Sequence, residues 1–220
     1  MLNAGTQPGY RRSTPDRPGS VAMETETGHY FDSSPAVRSD PRRVTLALPD
    51  LTVELQTDRG VFSADRVDPG TRLLLLEAPP PAATGELLDL GCGYGPVAIT
   101  LARRAPAARV WAVDVNRRAL SLTTANARAL GLVNVTSVTP ASVPVDLRFT
   151  AIYTNPPVRI GKPALHHLLD AWVPRAEVTW MVVSKHLGAD SLTRWMAGER
   201  GWTVERVASR VSYRVLGVHP

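Results

Sequence analysis

From Glu86 to the C-terminus, short apolar runs alternate with segments of helical length, and this alternation constrains the fold more than any other feature of the chain. Strands are expected at 86–90, 109–114, 133–138, 150–154, 177–184, 202–208 and 211–217, with helices at 96–104, 117–130, 163–173 and 189–199. Strands joined through helices pair in parallel, because the crossover has to travel back along the sheet. The expected architecture is therefore α/β, a doubly wound sheet that is mostly parallel and ends in an antiparallel C-terminal pair. Ligands of such sheets sit at the carboxyl ends of the strands, beside the switch point.

The chain divides into three expected segments. Residues 1–28 hold Gly, Pro, Ser, Thr and balanced charges without apolar periodicity, the composition of a disordered tail. Order is expected to begin near His29-Tyr30-Phe31. Residues 29–85 form a small N-terminal subdomain: a β-hairpin from Val44 to Leu55 around Pro49-Asp50, then a helix capped by Asp68. Residues 86–220 form the ligand-binding core. A chain of 220 residues suffices for one well-buried domain and a tail, not for two catalytic domains.

Composition narrows the functional classes. The run Leu73–Leu76 stops at Glu77 and a Pro stretch, far short of a membrane span, and the N-terminus has no signal-like apolar core. A cytoplasmic protein with no membrane partner is expected. Cys92 is the single cysteine, so neither an internal disulfide nor a cysteine metal site is expected, and no metal is called for. The net charge of +5 is almost all arginine, since Lys162 and Lys185 are the only lysines. Compositional bias accounts for most of that charge; the functional reading is a surface that meets nucleic acid.

Two motifs carry chemistry. Asp89-Leu90-Gly91-Cys92-Gly93-Tyr94-Gly95 closes the first core strand and leads into a helix at Pro96. Glycines allow a sharp turn and close backbone approach to a ligand. A dinucleotide site would want glycine where Pro96 stands, which disfavours a nicotinamide-dependent oxidoreductase. The alternating glycines suit S-adenosylmethionine, which has no pyrophosphate to place on a helix end. Asp89 is expected near its ammonium group, and Asp114, at the end of the next strand, is expected to accept both ribose hydroxyls. Gly91, Cys92, Gly93, Gly95, Val115 and Ser142 complete the candidate cofactor residues. Ordinary turn glycines and a solvated strand-end acid are the plain alternatives, and three glycines in alternation argue against them. Asn116 reads as a helix cap.

The second motif is Asn155-Pro156-Pro157, at the end of the fourth core strand. A ring-conjugated exocyclic amine is a poor nucleophile because its lone pair is delocalised. Acceptance of its two N–H groups by the Asn155 side-chain oxygen and the Pro156 carbonyl aims that lone pair at a methyl sulfonium. The prolines hold both acceptors rigid. A Pro-rich turn after a buried strand is the plain reading, and the Gly-rich motif tips the balance toward methyl transfer, with Asn155 serving both cofactor and acceptor.

Together these residues resemble the methyltransferase small-domain family, which includes bacterial guanine-N2 methyltransferases of ribosomal RNA. The resemblance runs through Gly60-Val61-Phe62-Ser63, Asp68-Pro69-Gly70-Thr71, Asp89 to Pro96, Val113 to Asn116 and Asn155 to Lys162, spanning residues 29–217. It implies a Rossmann-like methyltransferase sheet, an rRNA guanine as methyl acceptor, and ribosomal RNA or a ribosomal subunit as partner; separately, a monomer is expected. The chain departs from the family in two places. Val158 stands where relatives often carry an aromatic residue, and base stacking on a ring is worth roughly 1–3 kcal/mol. Phe62 is a candidate substitute. Ala141 cannot meet an adenine amine, leaving Ser142 or a backbone group. Arg159, Lys162 and Lys185 are candidate phosphate contacts, although Lys162 also suits a plain surface role at a helix start. His166 and His167 are adjacent, so they face different sides of a helix and read as one partly buried and one exposed histidine. Trp172, Trp180 and Trp195 read as core.

Other readings remain open at this point: methylation of adenine N6 or of a protein glutamine amide, and a cofactor-binding ribosome-assembly factor without catalysis.

Overall fold

A seven-stranded sheet in the order β5-β4-β3-β6-β7-β9-β8 carries the fold, in a computed structural model that describes residues 1–2, 37–210 and 212–220. The segments are β1 (Arg42–Leu48), β2 (Leu51–Thr57), α1 (Pro69–Glu77), β3 (Thr84–Leu90), α2 (Pro96–Arg104), β4 (Ala107–Val113), α3 (Arg117–Ala129) and β5 (Val135–Val138). They continue as β6 (Phe149–Thr154), α4 (Lys162–Trp172), β7 (Ala176–Ser184), α5 (Ala189–Glu199), β8 (Thr203–Arg210) and β9 (Tyr213–His219). Apart from Met1 and Leu2, the expected tail over 1–28 and the start of order at His29 lie outside the described residues.

β3 pairs in parallel with β4 and β6, β4 with β5, and β6 with β7, while β9 is antiparallel to both β7 and β8. The expected α/β class and antiparallel end are therefore present. The chain runs outward through β3, β4 and β5, then returns to the other side of β3 as β6. The switch point lies between β3 and β6, where ligands of open sheets bind.

Each helix on the ligand-facing edge has an identifiable start. Asp68 caps α1 by accepting from the Thr71 N–H at 2.9 Å, with Pro69 in the first turn. Asn116 caps α3 through the N–H groups of Arg118 and Ala119, as the sequence suggested. Gly95, at φ 94°, precedes α2 and has no side chain to cap it. Asp89, on β3, supplies that acceptor instead, taking the Ala98 N–H at 2.9 Å.

Alternation along the strands sorts the core into two faces. Leu87, Val110, Ala112, Ala151, Tyr153 and Val182 pack with α1, α2 and α3, and Val44, Leu46, Val53 and Leu55 of the β1–β2 hairpin join the same cluster. On the opposite face Met181, Val183, Leu216 and Val218 meet α4 and α5, while Leu88, Trp111 and Ile152 pack around Phe149 and Trp172. Trp172, Trp180 and Trp195 are core residues, as expected. His166 is half-buried and stacked on Trp195, and His167 is exposed.

The hairpin is fastened by one polar residue as well as by apolar packing. Asn126 of α3, 2% exposed, accepts the Gln56 N–H and donates to the carbonyls of Gln56 and Tyr94. Each partner left unmade in the interior would cost about 1–3 kcal/mol. Among the described residues, no helix is long and apolar enough to cross a membrane, and no group of three His, Cys, Asp or Glu side chains could hold a metal ion.

Candidate functional site

The carboxyl ends of β3, β4, β5 and β6 bring most of the sequence-predicted residues to one edge. Leu90 pairs with Val113 on one side and with Thr154 on the other, so the Gly-rich turn has Asp114 and Asn155 as flanking neighbours. The N–H groups of Gly91 and Cys92 both bond the Val113 carbonyl, and the Thr154 hydroxyl donates to the Leu90 carbonyl at 2.8 Å. Both flanks are thereby tied to β3.

On the cofactor side, Asp114 accepts from the Gly93 N–H and from the Asn116 N–H, each at 2.9 Å. Burial raises its pKa, with those N–H donors opposing the rise. Asp89, 2% exposed, is pushed up to about 8, first by burial, with the Ala98 N–H lowering it and the Asp114 charge raising it. No positive side chain contributes to either shift. A Cβ placed on Gly91 (φ +79°) or Gly93 (φ +57°) would meet nothing within 4 Å, so the turn opens onto free space. Two poorly compensated carboxylates beside an open turn fit a cationic ligand that also carries hydroxyl donors. Cys92 is buried, and burial holds its thiol well above the ordinary range, so it packs the turn and is no nucleophile. Val115 stands exposed next to Asp114. Ser142, just beyond β5, is exposed and shares a 3.0 Å hydroxyl contact with Thr139.

On the acceptor side, Asn155 is half-buried and Pro156 buried. The Pro156 carbonyl accepts the Val158 N–H at 2.8 Å, and Pro157 has φ −74° and ψ 71°, the geometry of an inverse γ-turn. One lone pair of that carbonyl is engaged and the second remains for a ligand. The Asn155 Nδ2 donates to Asp68 Oδ2 at 2.9 Å and to Thr71 Oγ1 at 3.0 Å. Val158 packs with Ile160 against the α4–α5 cluster.

The candidate substrate residues are more dispersed. Phe62 is 54% exposed, in the turn after β2. That turn is anchored to the cofactor side, because the Gly60 carbonyl accepts from Asn116 Nδ2 at 2.7 Å. Arg159 is exposed in the turn after Pro157, and the exposed Lys162 donates to Ser191 Oγ at 3.3 Å across the starts of α4 and α5. Lys185, half-buried at the end of β7, bonds the Ser212 carbonyl through its main-chain N–H.

Sequence reasoning assigned Asp68 and Thr71 to a helix cap and missed their contact with Asn155, which lies 87 and 84 residues away. The signal was present but mute: a capping Asp satisfies a local rule and gives no sign of a second bond. The whole stretch from Gly60 to Thr71 bridges the two halves, touching Asn116 at Gly60, Tyr94 at the Arg66 carbonyl and Asn155 at its end.

The family model for the methyltransferase small domain matches residues 52–216. The chain is 34% identical over 169 residues to the uncharacterized protein YbxB of Bacillus subtilis, covering 74% of this chain and 84% of that one. It is 29% identical over 180 residues to the ribosomal RNA small subunit methyltransferase C of Shewanella amazonensis, covering 79% of this chain and 51% of the relative. Among solved structures, the T. thermophilus 16S rRNA N2 methyltransferase RsmC, in complex with AdoMet and guanosine, superposes with a TM-score of 0.68 at 24% identity, covering 81% of this chain and 50% of that one. The chain thus spans about half the length of these ribosomal RNA methyltransferases.

Proposed function

The chain belongs to the methyltransferase small domain family, and from that premise we propose that it methylates the exocyclic amine, N2, of a guanine in ribosomal RNA, using S-adenosylmethionine. The observation that carries the proposal is the β3–β6 register, which sets Asn155 beside a Gly-rich turn flanked by the buried Asp89 and the half-buried Asp114. The named activity of the relatives, ribosomal RNA methylation, agrees with this chemistry.

S-adenosylmethionine supplies a methyl group on a sulfonium, an electrophilic carbon with a neutral leaving group. The chain's own residues do the rest by placement. Asp89 is proposed to face the ammonium group, and Asp114 to accept the ribose hydroxyls. Val115, exposed beside Asp114, offers an apolar surface to the adenine. Asn155 Oδ1 and the second lone pair of the Pro156 carbonyl accept the two N–H groups of the target amine and turn its lone pair toward the methyl carbon. With the cofactor bound, its sulfonium would supply the methyl group and keep the S–C electron pair, while Asn155 and the Pro156 carbonyl would hold the amine in line and leave its surplus proton to water. No strong base is needed, since the methylated amine is acidic until it loses that proton; positioning and dipoles lower the barrier.

Arg159, Lys162 and Lys185 are proposed to hold backbone phosphate, which fixes the register of an RNA without reading its sequence. Phe62 is proposed to stack on the base in place of the aromatic residue that Val158 replaces. The reaction is placed in the cytoplasm, on ribosomal RNA or an assembling subunit.

The deciding experiment is transfer of labelled methyl from S-adenosylmethionine to small and large ribosomal subunits lacking the modification, followed by nucleoside mass analysis. N2-methylguanosine in one subunit is expected. Label in N6-methyladenosine or in protein would replace the substrate assignment, and binding of the cofactor without transfer would point to an assembly role.

A further inference from the structure

An amide side chain has two faces that differ in chemistry and scarcely in shape, and its orientation is set by its partners. Both protons of the Asn155 Nδ2 are engaged, one by Asp68 Oδ2 at 2.9 Å and one by Thr71 Oγ1 at 3.0 Å. Asp68 Oδ2 also takes the Thr71 N–H at 2.9 Å, so a single oxygen caps α1 and grips the amide. An ionised carboxylate can only accept. Turning the amide over would set Asn155 Oδ1 against that carboxylate, oxygen to oxygen, without a proton between them. Gly70 leaves room for the grip: a Cβ there would lie 2.9 Å from Asp68 Oδ2.

We infer that Asp68 and Thr71 are positioning residues for Asn155, fixing its amide so that Oδ1 and not Nδ2 faces the methyl acceptor. The inference rests on the reading of Asn155 as the residue that accepts the amine's N–H. It deepens that reading in two ways. Hydrogen bonds in a chain polarise one another, so a carboxylate on the Nδ2 protons makes Oδ1 a stronger acceptor. A site fixed in this sense also discriminates: a group that brings N–H protons is taken, and a carbonyl in the same place meets an oxygen. For guanine, that admits the N2 edge and refuses O6.

The test separates grip from cap. Thr71→Val keeps the shape and removes one acceptor. Asp68→Ser keeps a capping hydroxyl and shortens the reach to Asn155. Methyl transfer to unmodified ribosomal subunits is measured at saturating S-adenosylmethionine, together with cofactor affinity by calorimetry and melting temperature. The Asn155 side-chain amide resonances are followed in the 1H–15N spectrum, identified by their loss in Asn155→Ala. Thr71→Val is expected to lower kcat about tenfold and the double variant about a hundredfold, the scale of one and two lost bonds to a positioned group. Cofactor affinity should hold, Thr71→Ser should restore kcat, and the amide resonances should shift in step.

Unchanged kcat in the double variant overturns the inference. So does a parallel fall of kcat, cofactor affinity and melting temperature, which would mean a structural role alone. If the wild-type protein labels neither subunit, the assigned reaction fails, and the amide resonances decide the orientation by themselves: movement in the double variant supports it, and none overturns it.

Discussion

The two halves of the site are held by different means. On the cofactor side, the bonds run between carboxylates and backbone N–H groups: Asp89 to Ala98, and Asp114 to Gly93 and Asn116. All five residues lie within 28 positions of one another, in one strand–turn–helix–strand unit. On the acceptor side, the orienting bonds run between side chains, from Asn155 to Asp68 and Thr71, 87 and 84 positions earlier in the chain. A main-chain donor is present whatever the residue, so the first half tolerates change at the donating positions. The second half depends on side chains at both ends of each bond, and one substitution can disarm it.

The strongest challenge to this contrast is Asn155→Ala. It should lower turnover by at least about 10²-fold, the range seen when one preorganised polar contact to a reacting group is removed, while cofactor affinity, to which Asn155 adds a lesser contact, falls far less. Single-turnover rates beside calorimetric binding would check it. A joint loss of both would mean that the halves are not separable. Asp114→Ala should give the converse, weakening cofactor binding by about 1–3 kcal/mol with little effect on turnover at saturation. It would also strand the Gly93 and Asn116 N–H groups, so melting temperature should be recorded alongside, and unchanged affinity would remove Asp114 from the cofactor site.

How far each half could be read from sequence follows from the same contrast. The strands and helices of the core were legible because hydrophobic alternation, the cap at Asn116 and the first-turn proline at Pro96 are local signals. The Gly-rich turn was legible for the same reason: its glycines, its two acids and the helix they serve are contiguous. That Asp89 caps α2 was not read, because Gly95 occupies the capping position and the substitute acceptor lies six residues back on a strand. Asp68 was read and misjudged by half. Its cap obeys a rule spanning three residues, whereas its bond to Asn155 exists only once β6 has docked beside β3. The Pro156 carbonyl was expected as an acceptor of the amine, but the γ-turn that engages one of its lone pairs was not read, because it depends on backbone angles at Pro157 that residue types alone do not fix.

Titration gives a smaller effect that belongs to the cofactor half alone. Burial raises the Asp89 pKa to about 8, far above an ordinary carboxyl, so the cofactor-free protein binds a proton there that the unfolded chain releases near pH 4. The folded state therefore holds the extra proton between about pH 4 and about pH 8. By linkage, the stability this group contributes is complete below that window and declines as pH rises through it. An ammonium group beside Asp89 favours the ionised form and expels the proton. Binding should release protons near pH 7, and the contribution of Asp89 to affinity should strengthen toward pH 8, by at most about tenfold per pH unit. Calorimetry in buffers of different ionisation enthalpy reads that release directly, and Asp89→Asn, which keeps an acceptor for Ala98, should remove it. Release that persists in the variant would assign the proton to another group.

The smallest expected effect lies outside both halves, at Lys162. Its ammonium group donates to Ser191 Oγ at 3.3 Å from an exposed position, a bond too solvated to stabilise the fold measurably. If Lys162 contacts phosphate, Lys162→Ala should raise the KM for ribosomal substrate a few-fold, leave kcat and cofactor affinity alone, and reduce the slope of log affinity against log salt by about 1. The salt slope is the discriminating reading, because a lost bond to Ser191 could shift α4 against α5 and alter KM without releasing fewer counterions. A slope unchanged from wild type would confine Lys162 to its role between the two helices. The grip on RNA would then have to come from Arg159, Lys185 and the exposed ring of Phe62, placing recognition closer to the target amine than to the backbone around it.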